Sequence, residues 1–256
     1  MNSEAFRAFS SHGRDARATM VRMIFVGTSG FQYAEWKGKF YPETLSTAKM
    51  LPYYASHFLT TEINYSFRRI PSEKALTNWS AATPAPFRFS MKALQEITHV
   101  RKLRDCGGVL ERFCDALKTL DGKLGAVLFQ LPPFLRSDAA LLKDFLATIP
   151  KGLQSTFEFR HASWFNDETY ATLKAANAAL CIADTEDLST PVKSTADFGY
   201  FRLRNPGYKK ADIARWAKVI REQNWKTTYV YFKHEETGTG PKFARQLLDE
   251  LGIAKP

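Results

Sequence analysis

The chain has 256 residues, 45% of them hydrophobic and 24% charged, with 36 Lys and Arg against 26 Asp and Glu for a net charge of +10. A chain of this length and balance buries a large core without staples, which excludes disordered, collagen-like and disulfide-rich architectures. No apolar run approaches the ~20 residues of a membrane helix, so transmembrane architecture is excluded, and the basic surplus favours anionic partners: nucleic acid, phosphorylated metabolites or an acidic surface.

Residues 1–22 carry Arg7, Arg14, Arg17 and Arg22 mixed with Glu4 and Asp15, without an apolar stretch. They read as a disordered or non-native extension, with Met20 or Met23 as the natural start, ahead of one folded domain spanning 23–256. From there, short runs rich in Phe, Val, Ile and Tyr read as strands: Met23–Val26, Thr60–Ile63, Phe87–Met91, Ala126–Phe129, Thr156–Phe159, Ala179–Ala183, Tyr200–Leu203 and Thr228–Phe232. Between them the patterning predicts helices at Lys49–His57, Ser72–Ser80, Val109–Thr119, Ala139–Ala147, Glu168–Asn177, Asp212–Gln223 and Lys242–Leu251. Asp138, Asp167 and Pro241 stand at helix-start positions.

Strand runs beginning roughly 20–40 residues apart match the size of a βα unit. Eight of them alternating with helices predict an α/β fold, a single (β/α)8 TIM barrel. A doubly wound sheet would carry a Gly-rich phosphate loop after its first strand. Gly27-Thr28-Ser29-Gly30 is too short for that and leads into aromatics. Cys106, Cys114 and Cys181 are odd in number and form no Cys-x-x-Cys pair. That argues against a disulfide framework or zinc site and points to a reducing, cytoplasmic setting. Cys181 is expected in the core.

In a barrel, strand residues alternate between the interior and the helix layer. With Phe157 and Phe159 facing the helices, Glu158 and Arg160 point inward. The same parity turns inward Glu62 and Asn64, Lys92, Gln130, Asp184, Arg202 and Arg204, and Tyr229, Tyr231 and Lys233. All lie towards the C-terminal ends of their strands, the active-site face of this fold. Lys92, Arg160, Arg202, Arg204 and Lys233 outnumber Glu62, Glu158 and Asp184. Burying charge demands pairing, so three ion pairs are expected, with a cationic remainder for an anionic ligand. Aromatics cluster just beyond: Phe31, Tyr33 and Trp36, Tyr65 and Phe67, Trp164 and Phe165. Beside arginines they suit stacking on bases or sugar faces. Leu131-Pro132-Pro133 reads as a rigid turn shaping the rim.

Several strings occur in a specific order: Gly27-Thr28-Ser29-Gly30-Phe31-Gln32-Tyr33 with Trp36; Glu62-Ile63-Asn64-Tyr65-Ser66-Phe67; Lys92 with Ile97-Thr98-His99; Leu128-Phe129-Gln130-Leu131-Pro132-Pro133; Phe157-Glu158-Phe159-Arg160-His161 with Ser163-Trp164; and Asp184. Together they resemble the YecE-like proteins, a TIM-barrel family also known as domain of unknown function 72. The resemblance runs from about residue 24 to 250 and implies the barrel, but no reaction. Arg68, Arg204-Asn205-Pro206-Gly207 and Lys233-His234-Glu235-Glu236 depart from the family pattern towards more charge.

The candidate catalytic residues are Glu62, Lys92, Glu158 and Asp184. The candidate ligand-binding residues are Tyr33, Trp36, Asn64, Gln130, Arg160, His161, Trp164, Arg202, Arg204 and Lys233. Three readings use them. In the first, the cations and aromatics bind a phosphate-bearing small molecule or nucleic acid without turnover. In the second, Glu62, Glu158, Asp184, His99, His161 and His234 ligate a divalent metal for phosphodiester hydrolysis, by analogy with endonuclease IV-like barrels. The cations crowding that pocket and the absence of His-x-His spacing weigh against it, so no cofactor is expected. In the third, Glu158 or Glu62 is the base of a metal-free acid–base enzyme on a sugar phosphate, with the arginines clamping phosphate and Lys92 as acid or polarising charge. Glycoside hydrolysis needs two carboxylates. The fourth and seventh strands end instead in Gln130 and in Arg202 and Arg204.

Overall fold

The computed structural model describes residues 22–185, 188–235 and 238–254. Of the expected N-terminal extension 1–22, residues 1–21 lie outside the described residues. Eight parallel strands close a barrel in sequence order. They are β1 (Met23–Ser29), β2 (Thr60–Ile63), β3 (Arg88–Lys92), β4 (Leu124–Gln130), β5 (Ser155–Glu158), β6 (Ala179–Asp184), β7 (Phe198–Leu203) and β8 (Thr227–Phe232). Closure is made by β8 pairing with β1 from Met23↔Thr227 to Thr28↔Phe232. The fold is the barrel expected from the alternation.

Helices α1 (Thr47–Ala55), α2 (Glu73–Ala81), α3 (Gly107–Leu117), α4 (Ala139–Thr148), α5 (Asp167–Ala175), α6 (Lys210–Glu222) and α7 (Thr239–Leu251) surround it. Among the described residues no helix follows β6, where an Asp184↔Ser189 bridge leads into an irregular connection. Asp138 caps α4 by accepting from the Leu141 N–H at 2.9 Å. At α5 the cap is Asn166, whose side chain accepts from the Thr169 N–H at 2.9 Å. Asp167 falls in the first turn, where a negative charge suits the exposed N–H groups. Pro241 is the third residue of α7 rather than a residue preceding it. Its missing N–H costs nothing in the first turn. No helix among the described residues is long and apolar enough to cross a membrane.

The period-two alternation sorts side chains into two layers. Val26, Ile63, Phe129, Phe157, Phe201 and Phe232 pack against the helices. Phe25, Leu128, Cys181, Tyr200, Tyr229 and Tyr231 fill the interior. Each large apolar side chain so buried contributes about 1.5–3 kcal/mol. The interior hydroxyls are satisfied within the barrel: Tyr231 shares a hydrogen bond with Thr60 Oγ1 at 2.7 Å and donates to Ser90 Oγ at 2.8 Å. All three cysteines are buried and unpaired, and Cys181 is in the interior core as expected.

Gly27 explains part of the first string. A Cβ there would lie 2.1 Å from the Thr60 carbonyl oxygen and 2.8 Å from the Tyr54 hydroxyl. That hydroxyl bonds both Thr28 N and Thr60 O. Gly27→Ala is therefore expected to destabilise the fold by about 1–3 kcal/mol through overpacking. Gly108→Ala meets nothing nearer than 3.7 Å and is expected to be neutral or slightly stabilising. Thermal denaturation of the pair checks this, and equal melting temperatures would refute it.

Candidate functional site

The site is built around Arg202. Strand β7 carries it into the barrel interior, where it is 1% exposed. Its Nε and Nη2 donate to the Glu62 carboxylate at 2.9–3.1 Å. Its Nη1 donates to Glu158 Oε2 at 2.5 Å. Only a guanidinium fork has enough donors in one plane to serve two carboxylates from different strands.

Each carboxylate has further donors. Gly30, at φ +89°, turns the chain at the end of β1. Its N–H donates to the Glu62 carbonyl at 2.8 Å. The preceding Ser29 then points inward and donates to Glu62 Oε1 at 2.5 Å. Asn64 Nδ2 donates to Ser29 Oγ at 2.7 Å, and the Tyr200 hydroxyl to Glu62 Oε2 at 2.6 Å. On the other side, Gln130 Nε2 donates to Glu158 Oε1 at 2.8 Å, and Lys92 Nζ donates to Gln130 Oε1 at 2.8 Å. A continuous chain of polar contacts thus runs from Asn64 to Lys92 across the barrel.

Burial alone would push Glu62 and Glu158 up. The Arg202 guanidinium and the convergent hydrogen bonds override it and hold both carboxyls below the usual glutamate value. Lys92 goes the other way. Burial, then the charge of Arg202, bring it down to about 8 against the pull of Glu62 and Glu158.

This corrects the expected pairing. Three separate ion pairs do not form. One arginine serves two carboxylates, Lys92 binds an amide, and Asp184 accepts from the Tyr208 hydroxyl at 2.8 Å. Glu62, offered as a base, has its oxygens occupied by Arg202, Ser29 and Tyr200, so it holds the arginine in place. Of the two glutamates, Glu158 is the one that reaches the adjoining cleft.

That cleft, of about 600 Å³, opens among the connections after β5, β6, β7 and β8, with Arg160, Arg204 and Lys233 on its walls. Among the described residues the Arg160 and Arg204 side chains have neither hydrogen-bond acceptor nor ion-pair partner. Lys233 is 3.9 Å from Glu235. Burial, then Arg202, push the Arg204 guanidinium down from its ordinary value.

The aromatics divide. Trp36 is 1% exposed, with its indole N–H donating to the Glu235 carbonyl at 2.9 Å. Trp164 is fully buried, stacked on Phe159 at 4.5 Å, and donates to the Leu135 carbonyl at 2.8 Å. Both are corrected from ligand platforms to wall residues that fasten loops. Tyr33 leans on Trp36 at 4.8 Å and donates to the Ser29 carbonyl at 2.9 Å. His161 caps the short turn Ala162–Trp164, its Nδ1 accepting from the Ser163 N–H at 3.1 Å. His99 lies edge-on to Phe67 at 5.0 Å, and His234 Nε2 is 2.7 Å from the Asn205 carbonyl oxygen. Among the described residues no three His, Cys, Asp or Glu side chains converge on one point.

Two participants escaped the sequence reading, Ser29 and Tyr200. Tyr200 has the parity of Arg202 and could have been found by it. Ser29 carries no signal except the glycine that follows it. The cleft residues Thr190, Pro206 and Glu235 were likewise missed, because they come from irregular connections.

Residues 25–256 match the family model for proteins of unknown function DUF72. The UPF0759 protein YunF of Bacillus subtilis (strain 168) is 26% identical, over 90% of this chain and 95% of that protein. A DUF72 family protein from Thermotoga maritima superposes with a TM-score of 0.80 at 26% identity, covering 90% of this chain and 100% of that one. A second, from Enterococcus faecalis, does so with a TM-score of 0.76 at 21% identity, covering 91% and 97%. The chain belongs to the DUF72 family, whose shared eight-stranded barrel here encloses an arginine held between two glutamates.

Proposed function

We propose that the cleft beside Glu158 binds a phosphate ester, with Arg160 and Arg204 as its clamps and Lys233 adding charge. The observation that carries this reading is the two arginines on one cleft without an acceptor among the described residues. Guanidinium forks bind phosphate oxygens in pairs. A volume of about 600 Å³ suits a ligand of nucleotide size.

The phosphate belongs either to a small metabolite or to a nucleic acid. Two exposed aromatics at the same end of the barrel favour testing the second source. Tyr65, after β2, is 46% exposed with Arg69 over its ring at 4.6 Å, and Phe134, after β4, is 64% exposed with Lys102 at 5.3 Å. Aromatics backed by cations offer stacking surfaces to unpaired bases.

The test is a titration at physiological salt with a nucleoside monophosphate, a sugar phosphate, a single-stranded oligonucleotide and an abasic-site duplex. The unphosphorylated nucleoside is the control, and each arm is run with and without divalent metal. Binding of the phosphorylated forms only, weakening with salt, is the expected result. Equal binding of the bare nucleoside would sink the reading. Cleavage of the duplex in the metal arm would turn the binder into a phosphodiesterase.

A further inference from the structure

Lys92 stands where barrel enzymes do chemistry, yet phosphate binding leaves it unused. It is the last residue of β3, paired with Leu128 of β4. Its own carbonyl accepts from Ser66 Oγ at 2.7 Å, which pins the strand end. The Nζ atom makes its hydrogen bond to a neutral amide, Gln130 Oε1, and among the described residues no carboxylate forms an ion pair with it. A lysine kept as a structural ammonium would take an acid as partner. The acids whose charges reach it are committed elsewhere, Glu62 to Arg202, Ser29 and Tyr200 and Glu158 to Arg202 and Gln130.

The groups facing Lys92 come from every side of the barrel. Arg202 on β7 and Lys233 after β8 repel its charge, while Glu62 on β2 and Glu158 on β5 attract it. The Phe67 ring lies 4.0 Å from Nζ, which favours the ammonium but also walls off water. Burial and the two cations prevail, and the amine is partly free near neutral pH, unlike an ordinary lysine at about 10.4.

Above it, the π-turn Glu96–Val100 carries His99, which burial and then the charges of Lys92 and Arg160 push below its ordinary value. Its Nδ1 is tied to Thr98 Oγ1 at 2.8 Å. The segment after it holds Lys102, Leu103 and Asp105 at φ +52°, +70° and +51°. Left-handed backbone at non-glycine residues is strain that collects at functional sites. Glu158 and Lys233, whose charges reach Lys92, both line the cleft.

We propose that Lys92 is an imine-forming nucleophile for a carbonyl compound that carries a phosphate, with the carbonyl carbon at Nζ and the phosphate on Arg160 and Arg204. The anchoring half rests on the phosphate reading of the cleft; the nucleophile half rests on the surroundings of Lys92 alone. The lone pair of the free amine forms the C–N bond, and the carbonyl π pair moves to oxygen, which takes a proton. The nitrogen then loses a proton, with neutral His99 as acceptor. Return of a proton to the hydroxyl expels water and leaves the protonated imine. Amine plus carbonyl plus the one proton that the carbonyl oxygen takes from solvent gives protonated imine plus water, so neither oxidant nor reductant is consumed.

Incubating the full chain with dihydroxyacetone phosphate, reducing with borohydride and mapping peptides by mass spectrometry tests it. The expected result is a stable adduct on the peptide bearing Lys92, lost in Lys92→Arg. Labelling should fall about tenfold or more with unphosphorylated dihydroxyacetone and in Arg160→Ala with Arg204→Ala, the loss of at least one charged hydrogen bond. Because the adduct is mapped in the wild type, the outcome does not depend on the variant folding. Calorimetric binding of dihydroxyacetone phosphate with Lys92 unlabelled would overturn the imine and leave the phosphate reading intact. An adduct on Lys92 indifferent to both phosphate and arginines would keep the nucleophile and overturn its anchor.

Discussion

Arg202→Met is expected to cost the fold about 3–5 kcal/mol at pH 7, because it strands two buried carboxylates without a counter-charge. The sign of the pH dependence identifies the cause. In the wild type both glutamates sit below their ordinary value, so their contribution is complete above the ordinary glutamate range, about pH 4.3. It is lost only as pH falls through the depressed folded values. In Arg202→Met, burial is left to act on Glu62 and Glu158 and raises them. The folded state then binds protons at these glutamates more tightly than the unfolded one, and the variant gains stability relative to the wild type as pH falls from 7 to 5, the depressed His99 and His234 acting alike on both. Urea denaturation at the two pH values measures the difference. A deficit that does not narrow on acidification would mean that lost packing, rather than stranded charge, dominates. Adding Glu62→Gln and Glu158→Gln to Arg202→Met should recover part of the loss.

The opposite pattern is expected at the cleft. Arg160→Ala and Arg204→Ala each remove a charged hydrogen-bond donor worth about 1.5–3 kcal/mol to a bound phosphate. Affinity should fall roughly 10- to 100-fold per substitution, and the salt dependence should flatten in the double variant. Stability should move by no more than about 0.5 kcal/mol, since neither side chain has a partner to lose among the described residues. Arg204→Ala also relieves repulsion from Arg202. Isothermal titration beside thermal melts of the same variants checks both halves. Falling melting temperature with unchanged affinity would make these arginines structural.

Much of the fold was legible because two periodicities are written into the chain. Alternation along Thr156–Phe159 and Tyr200–Leu203 already separated Glu158 and Arg202 from the phenylalanines beside them. What alternation does not contain is the register around a closed barrel. Arg202 meets Glu62 across 140 positions and Glu158 across 44, so residue type alone suggested three pairs where one shared arginine stands. Trp36 and Trp164 were misjudged because an indole suits a rim and a wall equally, and only the packing of Phe159 and the loops decides. His161 was singled out for its neighbours Arg160 and Ser163. That same closeness to Ser163 makes it a cap.

The arginine that neutralises Glu62 and Glu158 arrives late in the chain, on the seventh strand. A growing or refolding polypeptide that has assembled β1 to β5 holds two carboxylates at the barrel axis with Lys92 as the one cation of this network beside them, and hydration of those groups is expected to keep the half-built interior open. Dry closure of the interior is therefore expected to wait for β7, which brings Arg202 to both carboxylates.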